Sequence, residues 1–211
     1  MGGREPAHSF GQEGIPRPHI EQSHDMMAFT HKLDESTDMV LLDLRHAEEL
    51  FALIDANREH LRQWLPWVDS HTSPETVHVF LREMLFKFAS GSDIQAGIRH
   101  EGRLAGEIGL HNINTDVGTA EIGYWLGAEF EGKGLMTKAC VAMLNYAFDD
   151  LKLNRVQIRV EPANNRSRAI PRRLGFHYEG TLRQVGRIRE RVTDLEVYSM
   201  LKAEWESRRA G

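Results

Sequence analysis

The sequence predicts a mixed α/β fold, with a mostly antiparallel central sheet, one parallel strand pair and helices on both faces. Residues 94–126 contain three apolar runs of strand length separated by short turns, which predicts an antiparallel meander. Residues 135–148 pair apolar positions at four-residue spacing, which predicts an amphipathic helix. A further strand-like run at 155–160 follows that helix, and a helical crossover between two strands favours their parallel pairing.

The elements before the meander are predicted from apolar spacing and capping residues. Residues 39–44 are apolar enough for a strand, and residues 47–57 carry one apolar stripe, which is typical of a helix. Ser73 is a favourable N-cap and Pro74 suits the first helical position, so a second helix is expected from there to about Gly91.

The elements after the meander complete the sheet. A helix is expected at residues 165–174, short or kinked because Pro171 removes one backbone donor inside it. Strand-like runs at 178–184 and 192–201 then predict a closing hairpin.

Length and composition predict one domain in a reducing compartment. A chain of 211 residues can bury one substantial core, and residues 1–37 lack apolar periodicity, so a disordered or extended tail is expected before a domain at 38–211. The tail has no apolar core of signal-peptide length, and no run is long enough to span a bilayer. The single cysteine cannot form an internal disulfide, and the net charge of −5 argues against nucleic-acid binding. A cytoplasmic protein that binds no membrane is expected.

A short loop with glycines at alternate positions lies between the third meander strand and the helix that follows. Gly132 and Gly134 leave backbone N–H groups free to converge on an anion, and the helix that begins near Gly134 adds unpaired amides and the positive end of its dipole. Lys133 adds a positive charge. The loop is therefore predicted to bind a phosphate group.

The surroundings of the loop decide which phosphate ligand it suits. Residues 127–133 match the first seven positions of the nucleotide-binding pattern G-x-x-x-x-G-K. Gly134, however, stands where that pattern needs the Ser or Thr that coordinates magnesium, and Glu129 and Glu131 lie inside the loop. The dinucleotide-binding pattern fails as well, since no third glycine follows at the required spacing.

From about residue 40 to residue 205 the sequence resembles the GNAT acetyltransferases, in particular their RimJ/RimL-like branch of ribosomal-protein N-acetyltransferases. The loop at 129–134, EFEGKG, is similar to the pyrophosphate-binding loop of the family, and the acidic Glu129 is typical of this branch. Asn164 and Ser167 are similar to the Asn-x-x-Ser element that lies beside the pantetheine arm of coenzyme A.

Further segments follow the order found in that branch. The pairs at 175–176 and 179–180 resemble the segment that leads into the next strand, residues 194–198 resemble the last strand, and residues 64–67 resemble a helical segment on the substrate side. The resemblance implies a GNAT-like fold, in which the parallel strand pair splays and pantetheine inserts into the gap.

The resemblance also implies acetyl-CoA as co-substrate and a set of residues that bind it. The expected cofactor-binding residues are Trp125, Leu126, Glu131, Gly132, Lys133, Gly134, Leu135, Met136, Thr137, Asn164 and Ser167. Four arginines of the later helix, Arg166, Arg168, Arg172 and Arg173, either meet the phosphates or form a solvated helix face. No metal ion is expected.

Acetyl transfer to an amine needs a neutral nitrogen, donors for the carbonyl oxygen and a proton for the departing thiolate. A strand amide is expected to polarise the carbonyl, so no side-chain nucleophile is required. Glu121, on the cofactor strand, is the candidate base, with a structural ion pair as the alternative. Ser167 is the candidate acid by resemblance, with an ordinary first-turn serine as the alternative. Cys140 is interpreted as core packing.

The candidate acceptor contacts are Trp64, Trp67, His111 and Asn112, although the two tryptophans are equally well explained as core aromatics. An α-amine with a pKa of about 7.7 to 8 is partly neutral at cellular pH, whereas a lysine near 10.4 is not. The sequence therefore favours a protein N-terminus, a ribosomal one by the resemblance. A small amine such as a polyamine, an aminoglycoside or a peptide-like antibiotic, and a non-catalytic acyl-CoA sensor, are the alternatives. Both a monomer and a homodimer are compatible with the sequence.

Overall fold

The computed structural model describes residues 30–210 and contains one sheet of eight strands with helices around it. The strands are β1 (Thr30–Lys32), β2 (Thr37–Leu41), β3 (Ile94–His100), β4 (Arg103–Asn114), β5 (Thr119–Leu126), β6 (Arg155–Val160), β7 (His177–Ile188) and β8 (Arg191–Leu201). The helices are α1 (Ala47–Ala56), α2 (Arg58–Leu61), α3 (Pro74–Ser90), α4 (Leu135–Asn145), α5 (Asn165–Leu174) and α6 (Lys202–Ala210). Among these described helices, none is long and apolar enough to cross a membrane.

The sheet is antiparallel except between β5 and β6. Its strand order is β1-β2-β3-β4-β5-β6-β8-β7, and α4 provides the crossover that makes β5 and β6 parallel. Residues 119–121 of β5 pair with residues 155–157 of β6, but both strands continue beyond these residues without pairing to each other. The parallel pair is therefore splayed at its C-terminal ends, which confirms the predicted fold class.

Helix α4 packs its apolar face into the core, as its four-residue spacing predicts. Ala139, Cys140, Met143 and Leu144 are all buried. Burial raises the pKa of the Cys140 thiol, since an apolar environment disfavours the charged thiolate. The interpretation of this cysteine as core packing is confirmed.

The boundaries of α3 follow from the residues at its two ends. A capping box forms between Ser73 and Thr76, and Pro74 occupies the first turn. Gly91 ends the helix with φ of +75°, in the left-handed region that glycine adopts without strain.

The described residues begin with a short strand that precedes the predicted domain boundary at residue 38. Strand β1 pairs antiparallel with β2 through its main chain, while its side chains are exposed. Apolar periodicity could not reveal such a strand, because its side chains do not pack into the core. The remainder of the predicted tail, residues 1–29, lies outside the described residues.

Three other elements differ from their predictions. Strand β2 ends at Leu41 rather than at residue 44, because Asp43 caps a short 3₁₀ turn at Leu44–His46. Strand β7 continues to Ile188, four residues beyond its predicted end at 184, whereas helix α5 has its predicted bounds although it contains Pro171. Helix α6 was not expected, because tertiary contacts hold it: the Trp205 indole N–H donates to Asn145 Oδ1 at 2.9 Å.

Candidate functional site

The glycine loop after β5 presents open backbone at the N-terminus of α4. Gly132 and Gly134 have φ of +76° and +77°, and no atom lies within 4 Å of where a Cβ on either would be. The N–H of Lys138 bonds the carbonyl of Gly134 at 3.2 Å, so the N–H groups of residues 135–137 precede the first i to i−4 hydrogen bond of α4. These amides, the helix dipole and Lys133 suit a phosphate-containing ligand.

Glu131 ties this loop to two other elements. Its Oε1 lies 3.0 Å from Nε2 of His60 on α2, and its Oε2 pairs with the guanidinium of Arg166 on α5. Glu131 therefore holds one arginine beside the loop. The contact with His60 was not predicted, because 71 residues separate the two side chains in the chain.

The four arginines of α5 divide into two groups. Arg166 reaches the loop, and Arg173 donates to Thr137 Oγ1 on α4 at 3.0 Å. Arg168 instead makes a two-point contact with Glu196 on β8 at 2.8 Å for each bond, and Arg172 donates to Tyr198. Two of the four thus lie at the predicted cofactor site.

The splayed end of β5 carries Trp125 and Leu126. The Trp125 indole N–H donates to Oε2 of Glu107 on β4 at 2.7 Å, and the Trp67 ring lies 5.9 Å from the Trp125 ring. Glu107 is 2% exposed, and burial raises its pKa to about 7 although the bond from Trp125 opposes that rise. Sequence reasoning missed Glu107, since only the folded sheet reveals its burial.

Ser167 is held at the start of α5 by two contacts. Its N–H donates to the N-cap side chain of Asn164 at 3.0 Å, and its Oγ donates to the Tyr124 hydroxyl at 3.3 Å. The Tyr124 hydroxyl in turn donates to the Ser167 carbonyl at 2.9 Å. Burial raises the pKa of Tyr124, which keeps this hydroxyl protonated.

The partnership of Tyr124 and Ser167 has a cause within α5. Pro171 lies four residues after Ser167 and has no N–H, so the Ser167 carbonyl lacks its usual helical donor. Tyr124 supplies that donor from the cofactor strand. The spacing of Ser167 and Pro171 was the sequence signal that could have indicated such a contact.

We expect Tyr124→Phe to lower the free energy of unfolding by about 1 kcal/mol, because it leaves the Ser167 carbonyl without a donor. The loss should be smaller in a Pro171→Ala background, where the new backbone N–H can bond that carbonyl. Urea unfolding of the wild type, both single variants and the double variant measures this coupling. An equal cost of Tyr124→Phe in both backgrounds would contradict the explanation.

Glu121 lies on β5 where its pairing with β6 ends. Its Oε2 lies 2.8 Å from Arg159 Nε in an ion pair and accepts a hydrogen bond from Gln157 Nε2 at 3.1 Å. The ion pair that was the alternative interpretation of Glu121 is therefore present. Its cross-strand partner on β4 is His111, so both side chains lie on the same face of the sheet.

The four residues predicted to contact the acceptor lie in different parts of the structure. His111 lies beside Glu121, Asn112 follows it with φ of +53°, and Trp67 contacts Trp125. Trp64 lies half-buried in the turn after α2 and makes no hydrogen bond or ring contact with β5 among residues 30–210.

A sheet that opens between two parallel strands, next to a loop of free amides, is typical of an acyltransferase that holds its acyl donor in the opening. The chain belongs to the GNAT acetyltransferases, since the profile of the acetyltransferase (GNAT) domain matches residues 39–177. The predicted family is confirmed, and the protein is an N-acetyltransferase.

Individual relatives agree with this assignment. The "Putative ribosomal N-acetyltransferase YdaF" of Bacillus subtilis (strain 168) is 40% identical over 179 residues, 84% of this chain and 98% of YdaF. The microcin C7 self immunity acetyltransferase MccE, solved with acetyl-CoA and AMP, is 26% identical with a TM-score of 0.78, covering 81% of this chain and 94% of MccE. RimL, a ribosomal L7/L12 alpha-N-protein acetyltransferase solved with coenzyme A, is 25% identical with a TM-score of 0.78, covering 82% and 97%.

Acetyl-CoA is the co-substrate, and the residues present fit it. The open space at Gly132 and Gly134 admits a ligand against the backbone, and the splay between β5 and β6 leaves strand amides of residues 122–126 without partners on β6. The two relatives solved with coenzyme A or acetyl-CoA share this fold.

Proposed function

We propose that the protein transfers the acetyl group of acetyl-CoA to the N-terminal α-amine of a protein, with a ribosomal protein as the first candidate. The observation that carries the proposal is the splayed end of β5 and β6, which opens beside the polar face of Glu121 and His111. The names of YdaF, a putative ribosomal N-acetyltransferase, and RimL, a ribosomal L7/L12 alpha-N-protein acetyltransferase, support a ribosomal acceptor. The reasoning from amine pKa values supports an α-amine, because no strong base is needed to keep one neutral.

We propose that the chain binds the co-substrate along one continuous path. The amides of residues 135–137, together with Lys133 and Arg166, would hold the pyrophosphate, and the unpaired edge of β5 near Trp125 would bond the pantetheine arm. Asn164 would lie beside that arm. When bound, acetyl-CoA supplies the thioester that reacts with the amine.

We propose separate roles for Ser167 and Glu121, which lie on the leaving-group side and the acceptor side of the reaction. Ser167 would deliver a proton to the departing sulfur once its hydroxyl turns from the Tyr124 oxygen to which it donates. Glu121 belongs to the acceptor side, where its charge would attract the amine. Its Oε2 is paired with Arg159 and accepts a hydrogen bond from Gln157.

The first test is thermal unfolding with acetyl-CoA, coenzyme A or ATP with magnesium. A ligand at about 100 times its dissociation constant stabilises by about 2.7 kcal/mol, which corresponds to a rise in Tm of about 5 to 10 °C for a chain of this size. We expect that rise with the two coenzymes alone. Lys133→Ala should reduce it, whereas Lys202→Ala should not, because Lys202 bonds Asn154 before β6, at the opposite end of the parallel pair from the loop.

Mass spectrometry of a mixed amine panel then identifies the acceptor. We expect acetylated N-terminal peptides, and the panel also contains polyamines, aminoglycosides and peptide-like antibiotics because MccE is named as a microcin immunity enzyme. Turnover of small amines alone would show that the acceptor is a small amine and not a protein N-terminus. Coenzyme binding without any turnover would instead identify a non-catalytic acyl-CoA sensor.

The last proposal concerns the cellular compartment in which the reaction takes place. The cysteine is buried and free, which suits a reducing compartment, and we place the reaction in the cytoplasm.

A further inference from the structure

His111 projects its imidazole across the cofactor strand. A Cβ on Gly123 of β5 would lie 3.0 Å from His111 Nε2, so the ring lies directly over that glycine. Gly123 lies two residues after Glu121, where the pairing of β5 with β6 has ended, and two residues before Trp125. The imidazole is therefore beside the opening that receives the thioester.

Asp93 fixes which nitrogen of this imidazole is available. His111 Nδ1 lies 3.2 Å from Asp93 Oδ1, and because an ionised carboxylate only accepts, Nδ1 must carry the hydrogen. In the neutral ring Nε2 then carries the lone pair. Nε2 makes no hydrogen bond within residues 30–210, and the side chain as a whole is 34% exposed.

The local backbone is shaped to hold this orientation. The register between β4 and β5 is irregular between His111 and Asn114, and Asn112 has φ of +53°. The Asn112 N–H donates to the same Asp93 oxygen at 3.1 Å. A bulge with one left-handed residue re-aims a neighbouring side chain, and such backbone strain is concentrated at functional sites.

We propose that His111 accepts the proton that the acceptor amine loses, and that Asp93 is its positioning residue. This inference rests on the proposed N-acetyl transfer. The amine nitrogen forms its bond to the acetyl carbon while the carbon–sulfur bond breaks. One proton leaves nitrogen for His111 Nε2, and one reaches sulfur from Ser167. Exchange with solvent then restores both residues, so the overall reaction conserves protons.

Charged groups surround the His111 ring on several elements. Asp93 faces it from the start of β3, and Glu121 faces it from β5. Lys87 on α3 lies behind Asp93, with Nζ 3.4 Å from Oδ2, and Arg159 on β6 lies beyond Glu121. Two carboxylates are therefore adjacent to the ring, and each is paired with a cation on its far side. Glu121 would stabilise the charged ring rather than compete for the proton.

The experiment compares His111→Gln, Asp93→Asn and Glu121→Gln over a pH series, with the exposed His177→Gln as matched control. We expect His111→Gln to lower kcat/KM about 100-fold, mainly through kcat, with an unchanged Tm rise on adding acetyl-CoA. In this variant, the fall of kcat/KM at low pH that results from protonation of the His111 base (the acid limb of the profile) should disappear. Ionisation of the amine contributes equally to every profile, so differences between profiles isolate the imidazole. Asp93→Asn should have a smaller effect of the same kind.

Chemical rescue separates a proton acceptor from a structural histidine. Added imidazole should raise the rate of His111→Ala at least tenfold and leave the rate of Glu121→Gln unchanged.

Three results would overturn the inference while leaving N-acetyl transfer intact. The first is a kcat/KM of His111→Gln within threefold of the wild type. The second is an unchanged fall of its kcat/KM at low pH together with no rescue by imidazole, and the third is loss of that fall only in Glu121→Gln. Absence of turnover by the wild type would overturn the proposed function and this inference with it.

Discussion

Glu107→Gln is expected to stabilise the protein at pH 8 by about 3 kcal/mol and by much less at pH 5. Burial raises the pKa of Glu107 from 4.5 to about 7. A raised folded-state pKa contributes stability fully below the unfolded value, and that stability is lost as pH rises through about 7. The neutral amide avoids the loss, because it carries no charge at any pH in this range.

The amide also suits the partners of this carboxyl. Glu107 Oε1 and Gln95 Oε1 are both buried without a hydrogen-bond partner among residues 30–210. The new NH₂ group can donate to Gln95, while its oxygen keeps the bond from Trp125.

Unfolding in urea at pH 5, 6.5 and 8 measures this effect, and at pH 8 the Tm should rise by about 6 to 12 °C. Glu83→Gln on the exposed face of α3 is the control, and it should stay within about 0.5 kcal/mol of the wild type at each pH. A gain that is the same at pH 5 and pH 8 would show that ionisation of Glu107 is not its cause.

Gly106→Ala is expected to lower the free energy of unfolding by about 3 kcal/mol. A Cβ on Gly106 would lie 2.2 Å from the carbonyl oxygen of Trp125 and 2.8 Å from Cα of Leu126. Both atoms belong to the backbone of β5, which cannot rotate away as a side chain can. The methyl group would push the splayed end of β5 outward, so the Tm rise on adding acetyl-CoA should shrink as well.

Gly123→Ala is the matched control on the opposing strand. The atoms nearest to its new methyl group belong to the His111 ring, at 3.0 and 3.1 Å, and that ring can move. We expect a stability loss below about 1 kcal/mol together with a large loss of acetyl transfer. Thermal unfolding and turnover, measured on both variants, distinguish the two effects. Similar stability losses would refute the distinction between backbone and side-chain obstruction.

Together these variants probe the two sides of one structural feature. Glu107 and Gly106 hold the splayed end of β5 from the β4 side, and Gly123 leaves room for His111 over the same strand. The opening that we propose for acetyl-CoA is therefore supported by β4 as well as by the glycine loop.

Local spacing in the sequence was enough to predict the meander, the bounds of β5, β6 and α3, and the loop at the start of α4. Each of these depends on residues close together in the chain: the four-residue spacing in α4, the capping residues of α3, and glycines 132 and 134. The crossover through α4 then predicted the one parallel pair, because its handedness and direction follow from chain connectivity.

Burial and long-range contact could not be predicted in this way. Tyr124 meets Ser167 across 43 residues, and Asp93 meets His111 across 18. A carboxylate such as Glu107 has the same local sequence signals whether it is buried or solvated.

The sequence by itself therefore determined the family, the fold and the position of the glycine loop that we propose as the phosphate site. These depend on backbone geometry, which short-range patterns specify. Only the tertiary structure decided that Glu121 pairs with Arg159, and that His111 Nε2 has no hydrogen-bond partner among residues 30–210. These properties arise when the sheet brings distant residues together and removes water from some of them but not from others.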